Sequence, residues 1–288
     1  MGRAYASAYY THSEPGAVES WPASRGAAVR ERLLKGYINS RFGYRFKPAM
    51  EAGRAVVPAL PGARGMASSY VRHLPAPTEG ARVLDVGCGN GEFLLRMRAA
   101  GWEVQGLEVD PASRAWAESS GIPVHPGQLT ADTFPAASFE AITMNHVIEH
   151  LHHPRELLVT CYLLLKPGGI LWIAAPNGGA AGLERFGRDW APLDPPRHTV
   201  HFTYDALRRA LVEAGFDEVF TTSPTLLATR WTYRMSNSFA VGRVRVLAPI
   251  KSAVRDVARS VVADVRTLVQ PEGGEELVIV GRKSTTPA

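Results

Sequence analysis

The chain has 288 residues, of which 45% are hydrophobic and 20% charged, a balance that excludes general disorder and suits one elaborated α/β domain. Its two cysteines form no metal cluster or disulfide framework, and we find no secretory signal or apolar stretch of about 18 residues, so we expect a cytoplasmic protein. The net charge of +5 divides into +6 for residues 1–80, −6 for 81–220 and +5 for 221–288, and a uniformly basic nucleic-acid binder would not be built this way.

Residues 1–80 are predicted to form a basic N-terminal extension. Between Arg25 and Lys47 there are seven basic residues and one acid, and apolar residues recur at helical spacing at Leu33, Leu34, Tyr37, Ile38 and Phe42. This pattern predicts a short basic amphipathic helix. A linker with several prolines and glycines is expected to follow, from Pro48 to Gly80.

Residues 81–288 are predicted to form the main domain, in which short apolar runs alternate with helical patterns. Strands are predicted at Arg82–Val86, Glu103–Glu108, Glu140–Asn145, Gly169–Ala175, Asp217–Thr222 and Glu276–Gly281. Helices are predicted at Glu92–Ala100, at Pro111–Ser119, from Pro154 to Leu165, and from a Thr203 cap to Gly215. This alternation predicts a doubly wound, parallel sheet.

A helical insertion is predicted at about residues 235–270, before the last strand. From Ile250 onward, valines share one face of the predicted helix and four basic residues flank that face. Two interpretations are open: the helix rests on an anionic membrane surface, or its apolar face packs over the sheet or a substrate pocket. The basic helix of the extension has the same combination of charge and apolar face, so peripheral membrane contact is a hypothesis for both segments.

A glycine-rich turn lies between the first predicted strand and the following helix, in Asp85-Val-Gly-Cys-Gly-Asn-Gly91. Glycines at 87, 89 and 91 permit a tight turn and let a ligand approach the main chain closely. The spacing is G-x-G-x-G rather than the G-x-G-x-x-G of dinucleotide binders, and the preceding acid would repel a pyrophosphate. The turn therefore favours a cationic or hydroxyl-rich ligand.

A second acid, Glu108, ends the next predicted strand. A carboxylate at that place can accept hydrogen bonds from both hydroxyls of a ribose. The alternative is that Glu108 and Asp110 only start a helix, where acids are favourable. We assign the ribose to Glu108 and the helix start to Asp110.

Together these motifs resemble the class I S-adenosylmethionine-dependent methyltransferases, over about residues 80–220 and the last strand. The other supporting motifs are Ser138-Phe-Glu-Ala-Ile, Val147-Ile-Glu-His-Leu and Leu165-Lys-Pro-Gly-Gly. The resemblance implies a Rossmann-like sheet of seven strands in the order 3-2-1-4-5-7-6, with the last strand antiparallel.

The resemblance also implies which residues bind S-adenosylmethionine. Its methionine end would be held by the glycine-rich turn, at Asp85, Gly87, Cys88, Gly89 and Gly91, and its ribose by Glu108. Gln128 and Leu129 fall where the family often binds the adenine amino group. Asn145, at the end of the fourth strand of the family order, would lie beside the reacting centre.

His146-Val-Ile-Glu-His150 resembles the E-x-x-E-H run of the ubiquinone-biosynthesis O-methyltransferases, in which two glutamates and a histidine bind a divalent ion. His146 replaces the first glutamate, and imidazole is a softer ligand than magnesium prefers, so we expect no metal. His150 is a candidate catalytic residue. The alternative is that Glu149 and His150 only cap and brace the following helix.

The segment Asp189–Thr203 resembles the D-x-P-x-H-x-x-x-F-[ST] loop of methyltransferases found with bacterial polysaccharide, glycolipid and natural-product sugar pathways. It lies between the fifth strand and the next helix, where loops concentrate function. His198 and His201 are therefore candidate catalytic residues. The alternative is a proline-rich connector whose histidines bond to the backbone.

We therefore predict a methyltransferase that O-methylates a hydroxyl of a sugar, glycolipid or secondary metabolite. The alternatives are O-methylation of a quinone-like phenol and a non-catalytic cofactor-binding partner subunit. The expected partners are a small-molecule or lipid-linked hydroxyl substrate and, as a hypothesis, the inner face of an anionic membrane. Nucleic acid is not expected as a partner, and no motif points to an obligate protein partner.

Overall fold

A computed structural model describes residues 25–222, 227–240, 267 and 270–285. Its helices are α1 (Arg25–Phe42), α2 (Gly53–Val56), α3 (Pro61–Tyr70), α4 (Glu92–Ala99), α5 (Pro111–Ser119), α6 (Pro154–Leu164), α7 (Ala181–Phe186), α8 (Tyr204–Glu213) and α9 (Leu227–Ala240). Its strands are β1 (Arg82–Val86), β2 (Glu103–Glu108), β3 (Val124–Pro126), β4 (Phe139–Asn145), β5 (Leu165–Pro176), β6 (Glu218–Thr221) and β7 (Glu276–Arg282). The helix predicted from Ile250 lies outside the described residues, apart from Thr267.

The strands form one sheet in the order β3-β2-β1-β4-β5-β7-β6, and β7 runs antiparallel to both β5 and β6. This confirms the fold that the sequence resemblance implies. The central strand β1 pairs in parallel with β2 and β4, so that Asp85 lies opposite Gly106 on one side and Thr143 on the other. Because the carboxyl ends of parallel strands meet at one edge, the last residues of β1, β2 and β4 come together there.

Helices cover both faces of the sheet and divide the core into two large apolar clusters. Leu84 and Ile142 face the cluster that includes α6 and α8, whereas Val83 and Ala141 face the cluster formed with α1 and α3–α5. Neighbouring residues of a strand point to opposite faces, so each central strand is buried on both sides. This double burial explains why the strands have almost continuous apolar sequences.

The N-terminal extension from Arg25 onward packs into the second of these clusters. Leu34 and Ile38 of α1 are buried there, together with Leu74. The segment expected to be a linker contains α2 and α3 and packs closely on α1. A Cβ atom added at Gly53 would lie only 1.9 Å from the carbonyl oxygen of Leu33, so this contact requires glycine.

The packing of α1 leaves only its exposed basic residues, and not its apolar face, for contact with a membrane. The apolar face of α1 is buried inside the protein, and its exposed basic residues, such as Arg30, Arg32 and Arg41, lie outside that contact. Among the helices of the described ranges, none has the length and apolarity to span a bilayer. Contact with an anionic membrane stays a hypothesis, and co-sedimentation with anionic vesicles against neutral ones tests it.

The connection between α3 and β1 contains a strained turn at Arg72 and His73. Their φ angles are +47° and +57°, a left-handed conformation that costs a non-glycine residue roughly 1–2 kcal/mol. The turn places His73 Nδ1 3.3 Å from Trp172 Nε1, which donates a hydrogen bond to it. Burial lowers the pKa of His73 to about 4, with a smaller contribution from the charge of Arg41.

The low pKa of His73 makes the stability of the fold depend on pH. An unfolded histidine binds a proton below about pH 6.5, whereas folded His73 binds one only below about pH 4. The free energy of unfolding should therefore fall by up to about 1.4 kcal/mol per pH unit as the pH falls through that window. We expect His73→Gln, which can still accept from Trp172, to flatten the pH dependence of the unfolding free energy between pH 6.5 and 4. Urea titrations across this range measure it. His153→Gln, at a side chain 76% exposed, is the control and should leave the slope unchanged. Equal slopes for His73→Gln and the wild type would contradict the assignment.

Candidate active site

The glycine-rich turn is held tightly between β1 and α4. Gly87 and Cys88 each donate a backbone hydrogen bond to the carbonyl of Leu107, at 2.8 and 3.1 Å. Gly87 has a φ of +71°, and an added Cβ there would lie 2.5 Å from a methyl group of Val147. The Cys88 thiol is buried, and burial raises its pKa, so the group this residue offers a ligand is its backbone. Gly91 adopts a left-handed conformation immediately before α4.

A buried ion pair joins the acid of this turn to the N-terminal extension. The Arg72 guanidinium contacts Asp85 Oδ1 and lies 2.7 Å from Thr143 Oγ1, which itself donates to Asp85 Oδ1 at 2.8 Å. The guanidinium also stacks 3.6 Å from the ring centre of Phe93. The Asp85 side chain is 1% exposed, and no described group donates to its Oδ2 atom. A buried acceptor of this kind suits the ammonium group of a bound methionine moiety.

Glu108 reaches across the same edge with both carboxylate oxygens. Its Oε2 accepts from the backbone nitrogen of Gly89 at 2.8 Å, and its Oε1 accepts from that of Asp110 at 2.9 Å. Asp110 caps α5 by accepting from Ser113 N, which confirms the helix-start role predicted for it. Each oxygen of a carboxylate can accept a further hydrogen bond, so these contacts leave room for ribose hydroxyls.

The remaining residues predicted to hold the cofactor differ in exposure. Gln128 is exposed just beyond β3, whereas the side chain of Leu129 is buried in the core. Asn145 is exposed at the end of β4. The structure therefore gathers the predicted residues along one edge of the sheet, and their assignment to the cofactor stays a prediction.

A cavity of about 200 Å³ opens at this edge, beside the turn. It is lined by Ser69, Arg72, Phe93, Arg96, Asn145, Trp172, Ala174 and Glu276. Most of these side chains are polar, and Phe93 and Trp172 supply aromatic surface. The cavity therefore combines hydrogen-bonding groups with flat apolar walls.

Glu276, in the wall of the cavity, is the first of three linked groups that continue behind that wall through His146 to Glu149. His146 Nε2 lies 2.9 Å from Glu276 Oε1, and His146 Nδ1 lies 3.2 Å from Oε1 of Glu149, whose side chain is 1% exposed. Burial of the imidazole opposes its protonation, but its hydrogen bonds to the two carboxylates prevail and raise the pKa of His146 well above its usual value. Burial also opposes the ionisation of Glu149, but the hydrogen bond and the positive charge of His146, together with smaller contributions, lower the pKa of Glu149.

The residue that precedes Glu276 faces a different part of the molecule. Glu275 is buried, its Oε2 accepts from Trp190 Nε1 at 2.8 Å, and its Oε1 accepts from the backbone nitrogen of Gly182 at the same distance. The start of β7 thus fixes the chain around α7 on one side and lines the cavity on the other.

The three predicted catalytic histidines form one cluster around the 189–203 loop. His198 Nδ1 and His201 Nε2 lie 2.6 and 3.0 Å from the carbonyl oxygen of Pro192, and His150 Nδ1 lies 3.1 Å from that of Arg197. A carbonyl cannot donate, so each of these ring nitrogens carries the proton. The histidines brace the loop, and the groups that line the cavity do not include them. Their catalytic role stays a prediction.

The residues present do not fit the divalent ion of the E-x-x-E-H enzymes. Glu149, His150 and His198 offer atoms within 4.8 Å of one another, a set with two nitrogens where magnesium prefers oxygens. At the place of the first glutamate, His146 is hydrogen-bonded to Glu149 and favours the protonated form, which opposes a nearby dication.

Sequence reasoning did not identify three of the residues that shape this site. Arg72 lay in the expected linker, and Trp172 and Glu276 were placed in strands without a functional role. The sequence offers no local motif for them, because each makes a contact in the site with a residue at least 71 positions away in the chain. In the sequence, His146 stands out only because it occupies the place of a metal-binding glutamate.

The sequence of this chain is similar to those of known methyltransferases. Residues 62–219, more than half of the chain, match the family model described as "Methyltransferase domain". The ubiquinone biosynthesis O-methyltransferase of Cereibacter sphaeroides is 30% identical over 59% of this chain and 75% of its own length. That of Dinoroseobacter shibae is 31% identical over 54% of this chain and 68% of its own.

Among solved structures, the chain is similar to an S-adenosylmethionine-dependent methyltransferase from Archaeoglobus fulgidus. The TM-score is 0.51 and the sequence identity 22%, over 81% of this chain and 97% of the other. This similarity supports the fold.

The Arg72–Asp85 pair should contribute strongly to stability. We expect Arg72→Ala to cost about 3–5 kcal/mol of unfolding free energy, because it leaves the Asp85 carboxylate buried without its cation. Adding Asp85→Asn should recover part of the loss. The control is Arg114→Ala, which removes a surface pair with Glu118 at 3.7 Å and should cost less than about 1 kcal/mol. Urea unfolding measures all four proteins, and a similar cost for Arg72→Ala and Arg114→Ala would refute the prediction.

Proposed function

The chain belongs to the class I S-adenosylmethionine-dependent methyltransferases, and on that basis we propose that it O-methylates a hydroxyl of a sugar, glycolipid or related secondary metabolite. S-adenosylmethionine supplies a methyl group carried on a positively charged sulfur. The protein accelerates such a transfer chiefly by holding the acceptor oxygen close to that methyl group and in line with it.

For the cofactor, we propose that Asp85 binds the methionine ammonium, since its Oδ2 atom is a buried acceptor with no described donor. Backbone groups of Gly87, Cys88, Gly89 and Gly91 would face the same end of the molecule. Glu108 would hold the ribose, Gln128 and Leu129 the adenine, and Asn145 would lie beside the reacting methyl group.

The observation that carries the acceptor proposal is the composition of the cavity wall. Arg96, Asn145 and Glu276 offer both donors and acceptors, as a polyhydroxyl compound requires. The aromatic faces of Phe93 and Trp172 can pack against the C–H groups of a sugar ring. The 189–203 loop, which resembles that of sugar-pathway methyltransferases, supports the same class of acceptor.

A quinone-like phenol is the second candidate acceptor. It is favoured by the relatives named ubiquinone biosynthesis O-methyltransferases and by the aromatic walls of the cavity, against which a phenol ring can stack. The polar lining of the cavity favours the sugar class over an acceptor with a long apolar tail.

Transfer of labelled methyl groups tests the proposed function. The purified protein is incubated with methyl-labelled S-adenosylmethionine and with polar and lipid extracts of bacterial cells, methyl α-D-glucopyranoside or catechol. We expect label in an alkali-stable methyl ether of a sugar-containing product, identified by mass. Label only in phenolic products would select the second candidate. Label on nitrogen or carbon, or no transfer from any of these sources, would refute O-methylation.

Glu108→Ala should weaken cofactor binding. The variant loses the acceptor of two ribose hydroxyls, and hydrogen bonds to a charged acceptor contribute about 1.5–3 kcal/mol each. Losing even one of them corresponds to roughly a 10–100-fold rise in the dissociation constant of S-adenosylmethionine, so we expect a rise of at least that size. Calorimetry on the folded variant measures the affinity. Glu118→Ala, at an exposed position of α5, is the matched control and should bind like the wild type. Unchanged affinity in Glu108→Ala would exclude the ribose role.

A further inference from the structure

We propose that Glu276 is the catalytic base of this enzyme and that His146 and Glu149 hold it in position. This inference rests on the proposed O-methylation, because transfer to a hydroxyl releases a proton that some group must accept. Nothing in the sequence motifs assigns a role to Glu276. The assignment depends on where β7 begins.

The antiparallel direction of β7 brings Glu276 to the site. Because β7 runs opposite to the other central strands, its first residue lies at the edge where β1, β4 and β5 end, opposite Pro176 of β5. The side chain of Glu276 lines the cavity together with Asn145, the residue predicted to lie beside the methyl group. A carboxylate is thus present where the acceptor hydroxyl is expected.

The hydrogen-bond chain fixes the orientation of this carboxylate. Both ring nitrogens of His146 lie at hydrogen-bonding distance from carboxylate oxygens, at 2.9 Å from Glu276 and 3.2 Å from Glu149. Ionised carboxylates only accept, so the imidazole must carry protons on both nitrogens to satisfy both contacts. The imidazolium holds Glu276 Oε1, which leaves Oε2 as the oxygen that can take a proton from the acceptor.

Two features of the backbone support a functional role for this chain. His146 has a φ of +54°, in the left-handed region that only a few per cent of residues other than glycine adopt, although histidine does so more often than most. Strained residues of this kind persist where the surrounding structure enforces them, and they concentrate at active sites. Here His146 is anchored by its backbone nitrogen, which donates to Ala174 O at 2.9 Å, and Glu149 is anchored by its carbonyl, which accepts from Thr199 N at 2.8 Å.

The proposed step is balanced in charge and in protons. As the acceptor oxygen forms its bond to the methyl carbon, the electron pair of the sulfur–carbon bond remains on sulfur, which becomes a neutral thioether. The hydroxyl proton passes to Glu276 Oε2, so the carboxylate becomes a neutral acid. One positive and one negative charge disappear together, and His146 and Glu149 keep their protonation states. The proton then leaves to solvent when the product departs.

Glu276→Gln is the decisive variant, because its side-chain carbonyl can still accept from His146 but cannot take a proton. We expect the kcat of methyl transfer to fall by about 10²–10⁴-fold, while the calorimetric affinity for S-adenosylmethionine and the melting temperature stay near the wild-type values. The loss should be smaller with catechol than with the sugar-hydroxyl acceptor of the bacterial extract, since a phenol has a pKa of about 10 and releases its proton more readily.

His146→Gln tests the positioning role. We expect a smaller fall in kcat, with the KM for S-adenosylmethionine unchanged. The double variant with Glu276→Gln should be no slower than Glu276→Gln alone, because His146 acts through Glu276. Additive losses would show that His146 has a separate, structural effect. The control is Glu218→Gln on β6, which removes an exposed ion pair with Arg282 of β7 and should retain full kcat.

The outcomes separate this inference from the proposed function. If the wild type transfers methyl groups to hydroxyls and Glu276→Gln does so at a similar kcat, Glu276 is not the base and O-methylation stands. If the wild type transfers to no hydroxyl, both proposals are overturned. If the loss in Glu276→Gln is accompanied by weaker cofactor binding, Glu276 contributes to binding and the assignment as base is wrong.

Discussion

The buried contact between Arg72 and Asp85 is the interaction on which the site depends. An aspartate that is 1% exposed in the middle of a sheet needs a cation, and Arg72 comes from a segment outside the strand–helix alternation. The pair therefore ties the N-terminal helices to the end of β1. It also orders the wall of the cavity, since the same guanidinium stacks on Phe93 and lies 5.4 Å from the ring centre of Trp172.

The same edge of the sheet holds a second set of paired opposite charges, formed by Glu276, His146 and Glu149. In the Glu276–His146–Glu149 chain, as in the Arg72 pair, every buried charge has an opposite charge as its neighbour. Such groups are strongly coupled when water is excluded, because the low dielectric constant enlarges each interaction. Preorganised charges of this type need little rearrangement during a reaction. The protein thus places its charges before either substrate arrives.

The strand ends and the glycine-rich turn could be predicted from the sequence because their signals are local. Arg82–Val86 and Glu103–Glu108 have the predicted bounds, and the caps of the helices that begin at Pro111 and Tyr204 are Asp110 and Thr203, as expected. Local signals failed where partners are distant in the chain. Prolines and glycines between 48 and 80 predicted a linker, yet α2 and α3 form there because α1 covers them.

The same limit applies to the site. Asp85, Glu108 and Asn145 follow from strand ends, whereas Glu276 and His146 meet across 130 positions of sequence. For His198 and His201 the sequence left catalysis and bracing of the loop as alternatives. Their bonds to the Pro192 carbonyl show the bracing contact and leave the catalytic role open to experiment.

Two adjacent acids, Glu275 and Glu276, lie at the start of β7, so the register of this strand decides where both carboxylates are placed. Successive side chains of a strand point to opposite faces, so Glu275 holds Trp190 and Gly182 while Glu276 faces the cavity. A slip of one residue would exchange the two carboxylates, and it would release the chain around α7 at the same moment as it emptied the cavity wall. An insertion or deletion between β6 and β7 is therefore compatible with the site only if it leaves this pairing in phase. The antiparallel pairing of Glu276 with Pro176 is the contact that any such change must preserve.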